Sequence, residues 1–236
     1  MALYAISDIH LSLGVDKPMD IFGPMWTNYM DRLEDSWKKT VSENDYVIIP
    51  GDISWATYLE QAVEDFRFIE SLPGRKIISK GNHDYWWTTM SKLNKFLEFN
   101  GFSSISFMHN NSYRLENFIL CGTRGWNSPG DDGFSSEDKK VFDRELNRLE
   151  ISLMNASGDN KDNGCIIVAA LHYPPFNSRK EPTGFVEIMK KFGVEICIYG
   201  HLHSDSLKNA VQGVIDGIDF KVVSADYLGF CPIQLL

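Results

Sequence analysis

The chain has 236 residues, of which 43% are apolar, and a formal net charge of -9. That length suits one well-buried core and is read as a single domain, 1–236. The acidic balance argues against general affinity for nucleic-acid backbones or anionic membranes. No run approaches transmembrane length.

The start, Met1-Ala2-Leu3-Tyr4-Ala5-Ile6 running into Asp8, has no basic region and only a short apolar stretch, so no signal peptide is expected. Leu3–Ser7 reads as a first strand. From Pro24 to Ser42, Trp26, Tyr29, Met30, Leu33, Trp37 and Val41 fall on one helical face. Tyr46–Pro50 is a second strand. Leu59, Ala62, Val63, Phe66 and Ile69 then recur at helical spacing, and Pro73-Gly74 stops that helix. Lys76–Lys80 is a third strand, and Thr88 to Asn100 a third helix with Gly101 as its C-terminal cap.

The middle changes character. Ile105–Met108, Ser112–Leu115 and Phe118–Gly122 are short strands separated by Asn110-Asn111 and Glu116-Asn117, which suit tight antiparallel connections. A polar helix is expected from Ser135 or Ser136 to about Met154, with Glu137 and Asp138 complementing its dipole. Ala156 to Gly164 reads as a polar surface loop. Strands resume at Cys165–Leu171, Ile196–Tyr199 and Phe220–Ser224, with a helix at Phe185–Phe192. This βαβαβ start, antiparallel centre and strand-rich end predict an α/β fold of two packed mixed sheets flanked by helices. Cys121, Cys165, Cys197 and Cys231 lie in or beside apolar segments without CxxC spacing, and are expected as free thiols of a cytoplasmic protein.

Short clusters punctuate these strands: Ser7-Asp8-Ile9-His10, Pro50-Gly51-Asp52, Gly81-Asn82-His83-Asp84, Leu171-His172-Tyr173-Pro174 and Gly200-His201-Leu202-His203. Each has an ordinary structural reading alone: a turn carboxylate, a helix cap, a loop braced by its own side chains, or core histidines. Their succession at strand ends is harder to attribute to packing. Carboxylate and amide oxygens mixed with imidazole nitrogens are the donors of a first-row divalent metal site, and enough are present for two ions.

In these residues the chain resembles the calcineurin-like metallophosphoesterase superfamily, whose pattern is D-x-H, GD, GNH[DE], H and GHxH. All five elements appear in order between Asp8 and His203. The resemblance implies a four-layer α/β/β/α sandwich. It implies one ion on Asp8, His10 and His203, a second on Asn82, His172 and His201, and Asp52 bridging them. It also implies in-line attack of metal-bound hydroxide on the phosphate ester of a small molecule or nucleotide, monoester or diester. The residue outside the metal ligands is His83, which in the family protonates the leaving-group oxygen or stabilises the pentacovalent state; Asp84 is a candidate to orient it. Two divalent ions are the expected cofactors, manganese or iron favoured and zinc possible.

Substrate selection is open between two readings. Trp55, Tyr85, Trp86, Trp87, Trp126, Tyr173 and Phe176 either form a stacking wall or pack beneath the metal loops. Arg124 either reaches a phosphate or sits at the surface. Lys80 is a weaker candidate and His109 reads as structural. The loop from Asn127 to Ser136 either covers one side of the site or is a solvated turn.

A protein Ser/Thr phosphatase is disfavoured, because that branch continues GDxVDRG whereas this chain reads Gly51-Asp52-Ile53-Ser54-Trp55-Ala56. A nuclease is disfavoured by the charge. The non-enzymatic alternative is a catalytically silent scaffold of the same fold that binds proteins.

Overall fold

The computed structural model describes residues 1–159 and 164–236. Its contacts gather into two compact units, one of residues 1–107 with 223–236 and one of residues 108–222. Each holds one mixed sheet flanked by helices. No helix among the described residues is long and apolar enough to cross a membrane.

The first unit is built on a five-stranded sheet of order β11-β1-β2-β3-β4. Its strands are β1 (Leu3–Ala5), β2 (Tyr46–Pro50), β3 (Arg75–Ser79), β4 (Ile105–Phe107) and β11 (Ile233–Gln234). β1 to β4 run parallel and β11 pairs antiparallel at the edge. Between them run α1 (Tyr29–Thr40), α2 (Val63–Ser71) and α3 (Met90–Asn100). The helical periodicity buries Leu33 and Trp37 of α1, Phe66 and Ile69 of α2, and Leu93 and Phe96 of α3, in one core with Val47, Ile49 and Ile78. Burying such side chains stabilises by roughly 1.5–3 kcal/mol each. The expected helix from Pro24 is broken in two, because Asn28 adopts a left-handed backbone between a 3-10 turn at Pro24–Trp26 and α1. Gly101 ends α3 in the left-handed conformation a C-terminal cap requires.

The second unit holds a six-stranded sheet of order β5-β6-β7-β8-β10-β9. Its strands are β5 (Tyr113–Leu115), β6 (Phe118–Thr123), β7 (Ile166–Leu171), β8 (Ile196–Tyr199), β9 (Gly213–Ile215) and β10 (Ile218–Val222), with helices α4 (Ser136–Asp159) and α5 (Gly184–Lys191). Only the edge strands pair antiparallel. Phe142, Leu149 and Leu153 of α4 and Phe185 and Met189 of α5 pack on Ile119, Cys121, Ile167 and Cys197. α4 starts on a reciprocal cap: Asp138 N–H donates to Ser135 Oγ at 3.1 Å and Ser135 N–H to the Asp138 carboxylate at 3.0 Å.

Two expectations are corrected. The central strands do not form an antiparallel meander: β4 pairs parallel with β3, β5 pairs with β6, and only Glu116-Asn117 makes a hairpin. Asn110 does take a left-handed backbone, and His109 N–H donates to Asn111 Oδ1. The same turn chemistry here redirects the chain between sheets instead of pairing two strands. The surface loop expected from Ala156 to Gly164 is corrected at its start, since α4 runs to Asp159 with Ala156 buried in it; residues 160–163 lie outside the described residues.

Candidate metal centre

Every motif residue follows the C-terminal end of a parallel strand, where α/β sheets place their ligands. In the first unit Asp8 and His10 follow β1, Asp52 follows β2, and Asn82 to Asp84 follow β3. These strands are neighbours, so their loops are neighbours. The first two loops are zipped by backbone hydrogen bonds: Asp8 N–H to Gly51 O, His10 N–H to Asp52 O, and Leu11 N–H to Ile53 O, all at 2.8–3.0 Å.

The result is a compact donor set. Asp8, His10 and Asp52 are all at most 4% exposed. Donor atoms of Asp8 lie within 4.8 Å of those of His10 and of Asp52. His10 Nε2 stands 3.8 Å from Asp52 Oδ2. Two carboxylates buried this close repel strongly at low dielectric, and a divalent cation offsets that repulsion. The donor chemistry therefore fits a metal. The backbone shows strain at the same residues: Asp8, His10 and Asp52 have φ of 57°, 45° and 53°. Such conformations cost non-glycine residues about 1–3 kcal/mol each and cluster where function demands a geometry.

Buried polar groups outside the motifs' donors hold this set in place. The Asp84 carboxylate, fully buried, accepts hydrogen bonds from the N–H groups of Gly81, Asp52 and Ile53 at 2.7–2.9 Å and from Trp86 Nε1 at 3.1 Å. It ties the Asp52 loop to the Asn82 loop. Asp52 Oδ1 accepts from His83 N–H at 2.8 Å. Gly81 permits this closeness, since a Cβ there would collide with the Asp52 backbone and carboxylate.

Tyr29 donates its hydroxyl to His10 O at 2.9 Å. Burial, with Asp65 nearby, raises the Tyr29 hydroxyl's pKa far above the ordinary value. Asp65 accepts from Leu13 N–H at 2.7 Å and from Ser54 Oγ, bracing the loops on either side. Burial raises its pKa too. The sequence did carry a signal for Asp65, an acid three residues after Ala62 and four before Ile69 on a buried helical face. Nothing in the sequence marked Tyr29 as a support for His10.

His83 is half-buried, and its ring lies 4.5 Å from the Trp55 ring and 5.7 Å from His10. Trp55 also stacks on His10 at 4.9 Å. Of the flagged aromatics, Trp86, Tyr173 and Phe176 are buried, Trp55, Trp87 and Trp126 half-buried, and Tyr85 exposed.

In the second unit His172 follows β7, and His201 and His203 follow the neighbouring β8. The His172 and His201 rings are 5.1 Å apart, and Tyr173 lies 4.1 Å from His201. His201 has φ of 68°, a fourth candidate ligand in the left-handed region. His203 N–H donates to Ser206 Oγ at 2.7 Å. Arg124 O accepts from the N–H groups of His172 and Tyr173 at 3.0 and 2.9 Å.

The Arg124 side chain is neither a surface group nor isolated. Its guanidinium lies 4.3 Å over the Trp126 ring and 3.7 Å from Glu145, a carboxylate 1% exposed that also meets Arg144 and Arg148. Burial lowers the Arg124 pKa, with Glu145 opposing that shift. Lys80 is half-buried at the end of β3. The Asn127–Ser136 loop is largely exposed but braced: Asp131 accepts from Ser128 N–H and Ser178 N–H, both at 2.7 Å.

Comparison with known proteins agrees with this architecture. Among solved structures, a protein of unknown function from Aquifex aeolicus is 18% identical with a TM-score of 0.51, covering 99% of this chain and 95% of that one. A phosphopantetheinyl hydrolase from Mycobacterium tuberculosis is 11% identical with a TM-score of 0.56, covering 100% and 95%. At such identities the likeness is one of fold. No curated protein matches the sequence. The family described as calcineurin-like phosphoesterase matches residues 1–205, a span that contains every candidate donor. The chain belongs to the calcineurin-like phosphoesterase family.

Proposed function

We propose that this protein is a dinuclear-metal phosphoesterase acting on a small-molecule or nucleotide phosphate ester, with both units serving one catalytic domain. The reading is carried by one observation above the others: every family donor follows the end of a parallel strand, with Asp8, His10 and Asp52 already buried as a set. Asp8, His10 and His203 would hold one ion, Asn82, His172 and His201 the other, and Asp52 would bridge them; the donor types at Asp8, His10, Asp52, His172 and His203 suit that task. Bound ions supply a low-pKa water and offset charge on the phosphoryl oxygens.

The chain's own residues do the rest. Asp8 and Asp52 bring the only carboxylates among these donors, so the loaded centre is net positive and attracts an anionic ester despite the acidic surface. His83, tethered through its backbone to Asp52 and flanked by Trp55, delivers a proton to the leaving-group oxygen. Mixed nitrogen and oxygen donors without cysteine suit manganese or iron, with zinc also compatible. Cys121, Cys165, Cys197 and Cys231 are free thiols, which accords with a cytoplasmic location.

The test is hydrolysis of para-nitrophenyl and bis-para-nitrophenyl phosphate before chelation, after it, and after metal is restored. Loss and recovery of turnover, with close to two metals per chain, are expected. Turnover that survives thorough chelation overturns the reading. Bound metal with no turnover on any ester favours the scaffold alternative.

A further inference from the structure

A cavity of about 190 Å³ opens within the second unit, and His201 forms part of its wall. Trp126, Tyr173 and Phe176 line it with aromatic surface, and Ser178 and Asn209 add hydroxyl and amide groups. Among the described residues no Lys or Arg lines it. The single lining carboxylate, Asp131, accepts from two backbone N–H groups, Ser128 and Ser178. Those bonds spend its charge on joining the two loops that rim the cavity, and Asn177 Nδ2 adds a bond to Pro129 O at 3.2 Å. The wall is stacked back to the motif: Arg124 over Trp126, Trp126 5.2 Å from Tyr173, and Tyr173 4.1 Å from His201. The cavity is thus preformed, aromatic on one side and lacking cationic groups to hold a second phosphate.

We propose that this cavity binds the uncharged, flat part of the ester's alcohol, a ring with hydrogen-bonding edges of the nucleobase class. The proposal rests on the phosphoesterase reading, because it is His201 that sets the cavity beside the phosphate. Stacking on aromatic side chains gives affinity with little base selectivity, and the Ser178 and Asn209 groups meet the ring's polar edge.

Adenosine 5′-monophosphate and ribose 5-phosphate carry the phosphate on the same primary alcohol position and differ at C1, where one bears adenine and the other a hydroxyl. Full-length, zinc-loaded protein is titrated with adenosine, with the monophosphate and with ribose 5-phosphate. The probe is the Trp126 indole N–H resonance, assigned by its loss in Trp126→Phe. Adenosine and the monophosphate are expected to move it, and ribose 5-phosphate to leave it in place.

In turnover, the monophosphate should exceed ribose 5-phosphate in kcat/KM by roughly tenfold, the scale of a single base stack. Ser178→Trp, an exposed change that fills the cavity's mouth, should erase that preference. An indole resonance indifferent to adenosine, or a preference that survives Ser178→Trp, overturns the proposal. If neither these monoesters nor bis-para-nitrophenyl phosphate turns over, the phosphoesterase reading fails while the adenosine titration still decides the cavity.

Discussion

The two units bring different chemistry to the motif by different means. The first brings both carboxylates, the Asn82 amide, one candidate ligand imidazole and the candidate acid His83, and braces them with buried polar side chains: Asp84, Asp65 and Tyr29. The second brings three imidazoles, and packs His201 against the Tyr173 and Trp126 rings. Charge explains the contrast. Buried carboxylates repel one another and must be held in register by directed bonds, whereas neutral imidazoles tolerate an aromatic setting.

The contrast predicts that the first unit is the more fragile half. The largest expected effect is at His83. His83→Ala should lower kcat by about 10²–10⁴-fold while the protein keeps both metals. Unchanged turnover on an unactivated ester would remove His83 from the chemistry.

Asp84→Ala should weaken metal binding by roughly 10–100-fold, as losses of groups that orient ligands do. It should also destabilise the fold, because it orphans buried N–H groups at about 1–3 kcal/mol apiece. Metal titration and urea unfolding measure both. Tyr173→Phe, its counterpart beside His201, keeps the ring that packs there and should lower metal affinity far less than Asp84→Ala does. Equal losses at the two positions would break the comparison.

A smaller effect tests the first unit's reliance on buried polar pins. Lys76 is 1% exposed and donates to Leu72 O at 2.6 Å and Gly74 O at 2.9 Å, and burial lowers its pKa to about 8. Above that value the folded chain releases a proton that the unfolded chain keeps until its ordinary lysine pKa, so this group raises stability as pH climbs from about 8. In the second unit burial raises the thiols of Cys121 and Cys197, which lowers stability once unfolded thiols ionise near pH 9. The gain should therefore appear between about pH 8 and 9 and flatten in Lys76→Met, read as urea midpoints across that window.

The smallest effect is at the exposed start of α4. Hydrogen bonds from Ser135 and Trp126 lower the Asp138 pKa to about 2. Its contribution is present above the ordinary carboxylate pKa and is lost as pH falls toward 2. Asp138→Ala should remove that acid dependence from thermal melts.

The motif donors were legible because each set lies within a few residues of a strand that the apolar runs mark. Glu116-Asn117 joins two paired strands and Asn110-Asn111 does not, because an asparagine turn looks the same whichever strand follows. The edge strands β9 and β11 left no signal: three and two residues are too few for a period, and their neighbours set the pairing. The supports were hidden for a related reason. Asp84 acts on Asp52, 32 positions earlier, and Tyr29 on His10, 19 away. No local spacing rule reaches that far. Asp65 bonds Leu13, 52 positions away, and only its place as an acid on a buried helical face marks it locally.

Gly81 carries a consequence beyond its own turn. The space its missing methyl would fill is occupied by Asp52, so two segments distant in the chain share one vacancy. Alanine at 81 would therefore disable the molecule by evicting a neighbour, with all seven proposed ligands left chemically intact.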